Sequence, residues 1–99
     1  MKKLKITVMK IAVHDDLIEK YENQVDEACP VKLGQSFIVS DMNKPAELCD
    51  SAWVSLYPFA MALSAGAENL YDSWMKNPQS AMVSCNDGFR PVSFLLETI

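Results

Sequence analysis

The longest regular pattern in the chain is helical and covers residues 46–65. Polar or small positions recur one turn apart as far as Ser55, and apolar residues fill the opposite side. Beyond Ser55 the polar stripe ends, so the second half of the helix needs cover on every side. Pro45 suits the first helical position, whereas Pro58 lies inside the pattern and removes a backbone hydrogen bond. We predict one long helix that Pro58 interrupts, either as a kink or as a junction between two helices.

Strand patterns lie on both sides of this helix. The first one slips by one residue in its apolar phase near Val8 and Met9, which predicts a β-bulge. The predicted strands cover residues 4–13, 36–40, 80–85 and 91–97, and a short helix covers residues 14–21. The order is β-α-β-α-β-β. It predicts a single α+β domain, residues 1–99, in which a mostly antiparallel four-stranded sheet carries the long helix on one face.

The composition is that of an ordinary soluble domain, with 49% hydrophobic and 22% charged residues. The formal net charge is −4, and no face of the sequence concentrates basic residues as phosphate binding requires, so we expect no nucleic-acid partner. No apolar run reaches the roughly 18 to 20 residues that span a bilayer, so we expect no membrane partner either. These features favour a cytoplasmic protein.

Four short motifs, three of which contain a cysteine, give the chain a resemblance to a known family. They are Cys29-Pro30, Gly34-x-x-Phe37, Cys49-x-x-Ala52-Trp53 and Cys85-x-Asp87-Gly88-x-Arg90-Pro91-Val92-x-Phe94. On these motifs the chain resembles a family of small, uncharacterised proteins of about ninety residues from anaerobic bacteria and archaea. The resemblance covers nearly the whole chain and implies an anaerobic setting. It implies no particular activity. Members often have two adjacent cysteines before the Asp-Gly turn, whereas Ser84 precedes Cys85 here.

Two cysteines and the turn between the last two strands form the candidate catalytic group. Cys49 is expected in the first turn of the long helix, where the helix dipole favours a thiolate. Cys85 ends a strand close to Asp87 and to Arg90, the only arginine in the chain. If Arg90 and Cys85 stand opposite each other on paired strands, their Cβ atoms lie about 5 Å apart and the cation activates the thiol. The structural alternative is that Arg90 pairs with Asp87 or with another acid.

The leading functional hypothesis is a pocket for a small, partly apolar molecule. Aromatic and methionine side chains, typical of apolar pockets and interfaces, crowd residues 53–75. The guanidinium of Arg90 suits a carboxylate, either on the ligand or in the fold. The expected lining residues are Trp53, Tyr57, Trp74, Cys49, Cys85 and Arg90. This pocket serves either binding alone or thiol or acid–base chemistry, and both alternatives stay open.

Metal binding is an alternative. The three cysteines are an odd number without a CxxC pair, so a disulfide framework is not expected. Cys29, Cys49 and Cys85 with the lone His14 would complete a set of four ligands for zinc or an iron–sulfur centre. No other cofactor is indicated.

A non-catalytic oligomeric interaction module is the remaining alternative. Four strands give too little cover for a helix that is apolar on all faces. Phe59, Met61 and Ala62 are therefore expected to pack against a second subunit or against residues 71–75, and we expect a homodimer.

Overall fold

A computed structural model describes residues 1–24 and 30–99 of the chain. Its elements are β1 (Leu4–Ile11), α1 (Asp15–Tyr21), β2 (Ser36–Val39), α2 (Asp50–Ser64), β3 (Ser80–Ser84) and β4 (Val92–Thr98). The strands form one sheet in the order β2-β1-β4-β3, and every neighbouring pair is antiparallel. The α+β class with a four-stranded antiparallel sheet is confirmed.

A bulge divides β1 into two parts that pair differently. Val8 lies opposite Phe94, but Lys10 lies opposite Ser93, so Met9 is an additional residue in the ladder. This confirms the bulge that the phase slip near Val8 predicts. The extra residue places Ile11 opposite the buried Val92, but Ile11 itself is 39% exposed.

The core lies between one face of the sheet and α2. Alternate strand residues point towards the helix, as the two-residue period of a strand requires. The sheet side of the core consists of Leu4, Ile6, Val8, Phe37, Val39, Ala81, Val83, Val92, Phe94 and Leu96. The helix contributes Ala52, Leu56, Ala60 and Leu63, spaced three or four residues apart. The opposite face of the sheet carries more polar residues, among them Lys5, Thr7 and Glu97.

The bounds of α2 differ from the sequence prediction. The predicted start at residue 46 is wrong, because the helix begins at Asp50 with Cys49 as its N-cap. Residues before it form a turn in which Leu48 N–H donates to the carbonyl of Pro45, and the ammonium of Lys44 donates to the carbonyls of Pro45 and Leu48. Beyond that turn, α2 is one 15-residue helix that includes Pro58, so two separate helices do not form.

The segment between α2 and the edge strand β3 covers residues 65–79. Tyr71 contacts Phe59 of the helix with ring centroids 5.6 Å apart, so this segment supplies one of the two covers expected for Phe59. Met61 of the same helix is 37% exposed. Among residues 1–24 and 30–99, no helix is long and apolar enough to cross a membrane.

Candidate functional site

Arg90 binds a carboxylate that the sequence does not indicate. Its Nη1 lies 2.9 Å from Oε1 and 3.0 Å from Oε2 of Glu22, the C-cap residue of α1. Both side chains are largely sheltered from solvent, with 24% of Arg90 and 15% of Glu22 exposed. Of the structural alternatives, Asp87 is the wrong partner and another acid is the right one. The ion pair ties the turn between β3 and β4 to the end of α1.

Asp87 shapes the turn instead of facing Arg90's guanidinium. Its Oδ1 accepts hydrogen bonds from the backbone N–H groups of Phe89, at 2.8 Å, and of Arg90, at 3.1 Å. Aspartate favours turns for this reason, because its short side chain can bind backbone groups a few residues further on.

Cys85 lies opposite Val92, so the expected cross-strand pairing of Cys85 with Arg90 is wrong. The Cys85 N–H donates to the Val92 carbonyl at 3.0 Å, while the Val92 N–H donates to Cys85 Sγ at 3.2 Å. A regular antiparallel pair exchanges two N–H to carbonyl bonds, so here the thiol replaces one carbonyl acceptor. The Cys85 carbonyl accepts from the Ser84 hydroxyl at 2.9 Å.

The turn containing Cys85 lies against the first turn of α2. Asn86 Nδ2 donates to the Ser51 carbonyl at 3.3 Å. Cys49, the N-cap residue, has its Sγ 3.6 Å from the Ser51 hydroxyl oxygen. Both Cys49 and Cys85 are half-buried and pack against the core. Two members of the candidate catalytic group are thus attached to neighbouring parts of the fold.

The proposed metal ligands include a residue that is not described. Cys29 lies outside the described residues, as does part of the loop predicted around it. His14 is exposed at the N-cap of α1, and its backbone N–H donates to the Phe89 carbonyl. Within the described part of the chain, no three His, Cys, Asp or Glu side chains form a group that could hold a metal ion. The metal alternative therefore stays a prediction that depends on Cys29.

The predicted aromatic lining residues occupy two places. Trp53 and Tyr57 are one turn apart on α2 and meet edge to face, with centroids 5.6 Å apart. Trp74 instead stacks on Tyr71, with centroids 6.2 Å apart. Tyr71 thus lies between Phe59 of the helix and Trp74, and these three rings form a continuous row.

Trp74 lines a groove at the outer edge of β3. The groove has a volume of about 330 Å³, and its lining residues are Tyr71, Trp74, Met75 and Met82. The Tyr71 hydroxyl donates to the Met82 carbonyl at 2.8 Å, and burial raises the pKa of Tyr71 above 10.0. Trp74 is 82% exposed, so its outer ring face is available. We name this site the aromatic–methionine groove.

Sequence reasoning missed Met82 as a lining residue. The signal that could have found it is the alternation of β3, in which Ala81 and Val83 point into the core and Met82 points away. A second cavity, of about 450 Å³, is also missing from the sequence prediction. Its lining is more polar and includes Lys32, Gln35 and Glu47; Gln35 Nε2 donates to Glu47 Oε2 at 2.9 Å.

Comparisons with protein-family models, with curated proteins and with solved structures give no match to the chain. The resemblance to the small proteins of anaerobes therefore stays a prediction from the motifs.

Proposed function

We propose that this protein binds a small, planar, partly apolar molecule in the aromatic–methionine groove. The observation that carries the proposal is the indole of Trp74, which lies open to solvent beside two methionine side chains. A soluble domain gains no stability from leaving so large an apolar ring in water, so a binding role accounts for its exposure.

The groove has features that suit such a ligand. Its volume falls near the lower end of the range for small-molecule sites. Tyr71 is held by its bond to Met82 and by contact with Phe59, so the inner wall is formed before a ligand arrives. Methionine side chains adapt to ligands of different outline. The ligand proposed here stacks on Trp74 and contacts Met75 and Met82.

The groove does not require a ligand that carries a carboxylate, the group that the sequence led us to expect opposite Arg90. Arg90, the residue expected to bind it, already contacts Glu22. Binding of naphthol and of naphthoate, two planar probes that differ in the carboxylate, would be compared directly. Equal affinities fit the groove as described, whereas a clear preference for naphthoate would restore a cationic contact to the proposal.

The groove is tested by fluorescence titration with anilinonaphthalene sulfonate as the probe. Trp74→Ala is expected to weaken probe binding about 5- to 150-fold, because stacking of a flat nucleic-acid base on an aromatic side chain is worth about 1–3 kcal/mol. Tyr57→Ala is the matched control, since Tyr57 is an exposed aromatic residue on α2 and outside the groove lining. Equal binding by both variants and the unmodified protein would rule out the groove.

A thiol site at the start of α2 is the second candidate function. The hydrogen bond from Asn86 to Ser51 favours this site, because it holds the turn that contains Cys85 beside the start of α2, where Cys49 is the N-cap. Iodoacetamide labelling followed by mass spectrometry tests it, with Cys85→Ser as the comparison. One thiol reacting much faster than a free cysteine in solution supports the candidate, and uniformly slow labelling rejects it.

Elemental analysis of anaerobically purified protein tests the metal alternative. We also propose a cytoplasmic location, where cysteines without a disulfide framework stay reduced.

A further inference from the structure

Strand β1 extends past the end of its neighbour β2. The last contacts between them are Val8 N–H to the Gln35 carbonyl and Gly34 N–H to the Val8 carbonyl, both at 2.9 Å. From residue 9 to residue 14, no residue in the described ranges 1–24 and 30–99 pairs with this side of the strand. We call residues 9–14 the free β1 edge.

The other side of the same segment pairs with the start of β4 and the turn before it. Ala12 N–H donates to the Pro91 carbonyl and His14 N–H donates to the Phe89 carbonyl, both at 2.9 Å. Backbone groups alternate in direction along an antiparallel strand. The N–H and carbonyl groups of Ile11 and Val13 therefore point outwards from the free β1 edge, where they can extend the sheet.

Apolar side chains accompany these open backbone groups. Val13 is 52% exposed, and the exposed large hydrophobic residues nearby in sequence are Met9, Ile11, Leu17 and Tyr21. The last two belong to α1, a seven-residue helix in which no residue is buried. A helix this short depends on packing for its stability, and within residues 1–24 and 30–99 its apolar side chains Leu17 and Tyr21 stay exposed.

We propose that a second copy of this chain binds the free β1 edge, through antiparallel pairing about a two-fold axis at Ala12. In this register Ile11 lies opposite the partner's Val13, and Ala12 lies opposite the partner's Ala12. The outward backbone groups of Ile11 and Val13 then form four hydrogen bonds across the interface, two on each side of the axis. The result is a sheet that continues from one copy into the other, with the partner's β1 beside residues 9–14 and β2 beside residues 4–8 on the same side of β1.

Self-complementarity is what favours a second copy over an unrelated peptide. The paired side chains are β-branched and apolar on both strands, a combination that stabilises antiparallel pairs. In this register Lys10 of each copy lies opposite the partner's His14, and it is therefore close to Asp15 and Asp16 at the acidic start of the other copy's α1. No like charges face each other along the paired segment.

Sedimentation equilibrium of the full chain tests the interface. The unmodified protein is expected to have twice the 11.1 kDa mass of the chain. Ile11→Lys should weaken dimerisation at least about tenfold, because each dimer loses two apolar pairs and gains two charges at the interface. Ile38→Lys is the matched control, since it makes the same change at an exposed strand residue away from the free β1 edge. It is expected to leave the dimer intact.

A second variant tests the register and does not depend on changing stability. Ala12→Cys places one cysteine in each copy at a directly opposed, non-hydrogen-bonded position, where the Cα separation suits a disulfide. Mild oxidation should give a covalent dimer that the unmodified protein, oxidised in parallel, does not form. A protein that is monomeric at every concentration would overturn the proposal. So would a dimer that persists in Ile11→Lys and gives no Ala12→Cys cross-link, including one formed through the aromatic–methionine groove.

Discussion

Arg90 and Glu22, 68 positions apart in the sequence, form an ion pair at 2.9 Å that joins the β3–β4 turn to the end of α1. The same turn also contacts the start of α1, where the backbone N–H of His14 donates to the Phe89 carbonyl. Since α1 buries none of its own residues, these contacts are its main attachment to the fold. The only guanidinium of the chain thus has a structural role in positioning the helix.

Glu22→Gln is expected to destabilise the fold by about 1–3 kcal/mol, because it leaves a sheltered guanidinium with a weaker partner. Urea unfolding measures the change. Glu19→Gln is the matched control, an identical substitution at an exposed position of α1, and should change stability by less than about 0.5 kcal/mol. Equal effects for the two substitutions would show that the ion pair contributes no more than an exposed surface charge.

Tyr71→Phe should cost about 0.5–1.5 kcal/mol at neutral pH, because it removes the hydrogen bond to the Met82 carbonyl. The effect should shrink in alkaline solution. Burial raises the pKa of Tyr71 above 10.0 in the folded state, so the unfolded chain loses its proton first as pH rises. The stability of the unmodified protein then falls from about pH 10 upwards, whereas phenylalanine has no proton to lose.

Urea unfolding of the unmodified protein and of Tyr71→Phe at pH 7 and at pH 11 measures how much the difference in stability between them decreases. Comparing the two proteins at each pH removes the contribution of other groups that titrate in the same range. Tyr57→Phe, at an exposed tyrosine of α2, serves as the control and is expected to have little effect at either pH. A Tyr71→Phe effect that grows with pH would contradict the expected linkage.

Local signals in the sequence account for most of the fold. The phase slip near Val8 locates the bulge, and Asn86-Asp87-Gly88 marks the connection between the last two strands. The start of α2 could not be read in the same way. Pro45 has the dihedral angle that a helix start needs, but the Lys44 side chain stabilises a separate turn by binding two carbonyls there.

The candidate site is less accessible to such reasoning. Because Asp87 and Arg90 are close in the sequence, they suggest an ion pair between their side chains. The structure shows instead that Asp87 accepts backbone hydrogen bonds within the turn, a common role for aspartate. Only tertiary structure brings Glu22 to Arg90. Likewise, Trp53 and Trp74 belong to one aromatic-rich segment of the sequence. In the structure Trp53 contacts Tyr57 on α2, whereas Trp74 lies beyond the end of α2 and contacts Tyr71.

Cys85→Ala is expected to destabilise the protein by about 1–3 kcal/mol, because the Val92 N–H would lose its sulfur acceptor. Cys85→Ser retains an acceptor at nearly the same position and should cost clearly less. Urea unfolding of the two variants separates the hydrogen-bonding role from simple packing. If serine proves as damaging as alanine, the apolar contact of Cys85 with the core matters more than its bond to Val92.

Pro58→Ala is expected to stabilise the protein by about 1 kcal/mol or more. Proline in a helix interior lacks the N–H that would donate to the carbonyl four residues earlier, here that of Val54, and alanine restores this donor with the best helix propensity. Both positions are exposed, so the substitution leaves no cavity in the core. Val54→Ala is the matched control on the same helix and should gain less, since it changes propensity alone. Thermal and urea unfolding measure both variants. A loss of stability in Pro58→Ala would show that α2 is shaped by its proline to fit the sheet, and that straightening the helix disrupts packing around Leu56 and Ala60.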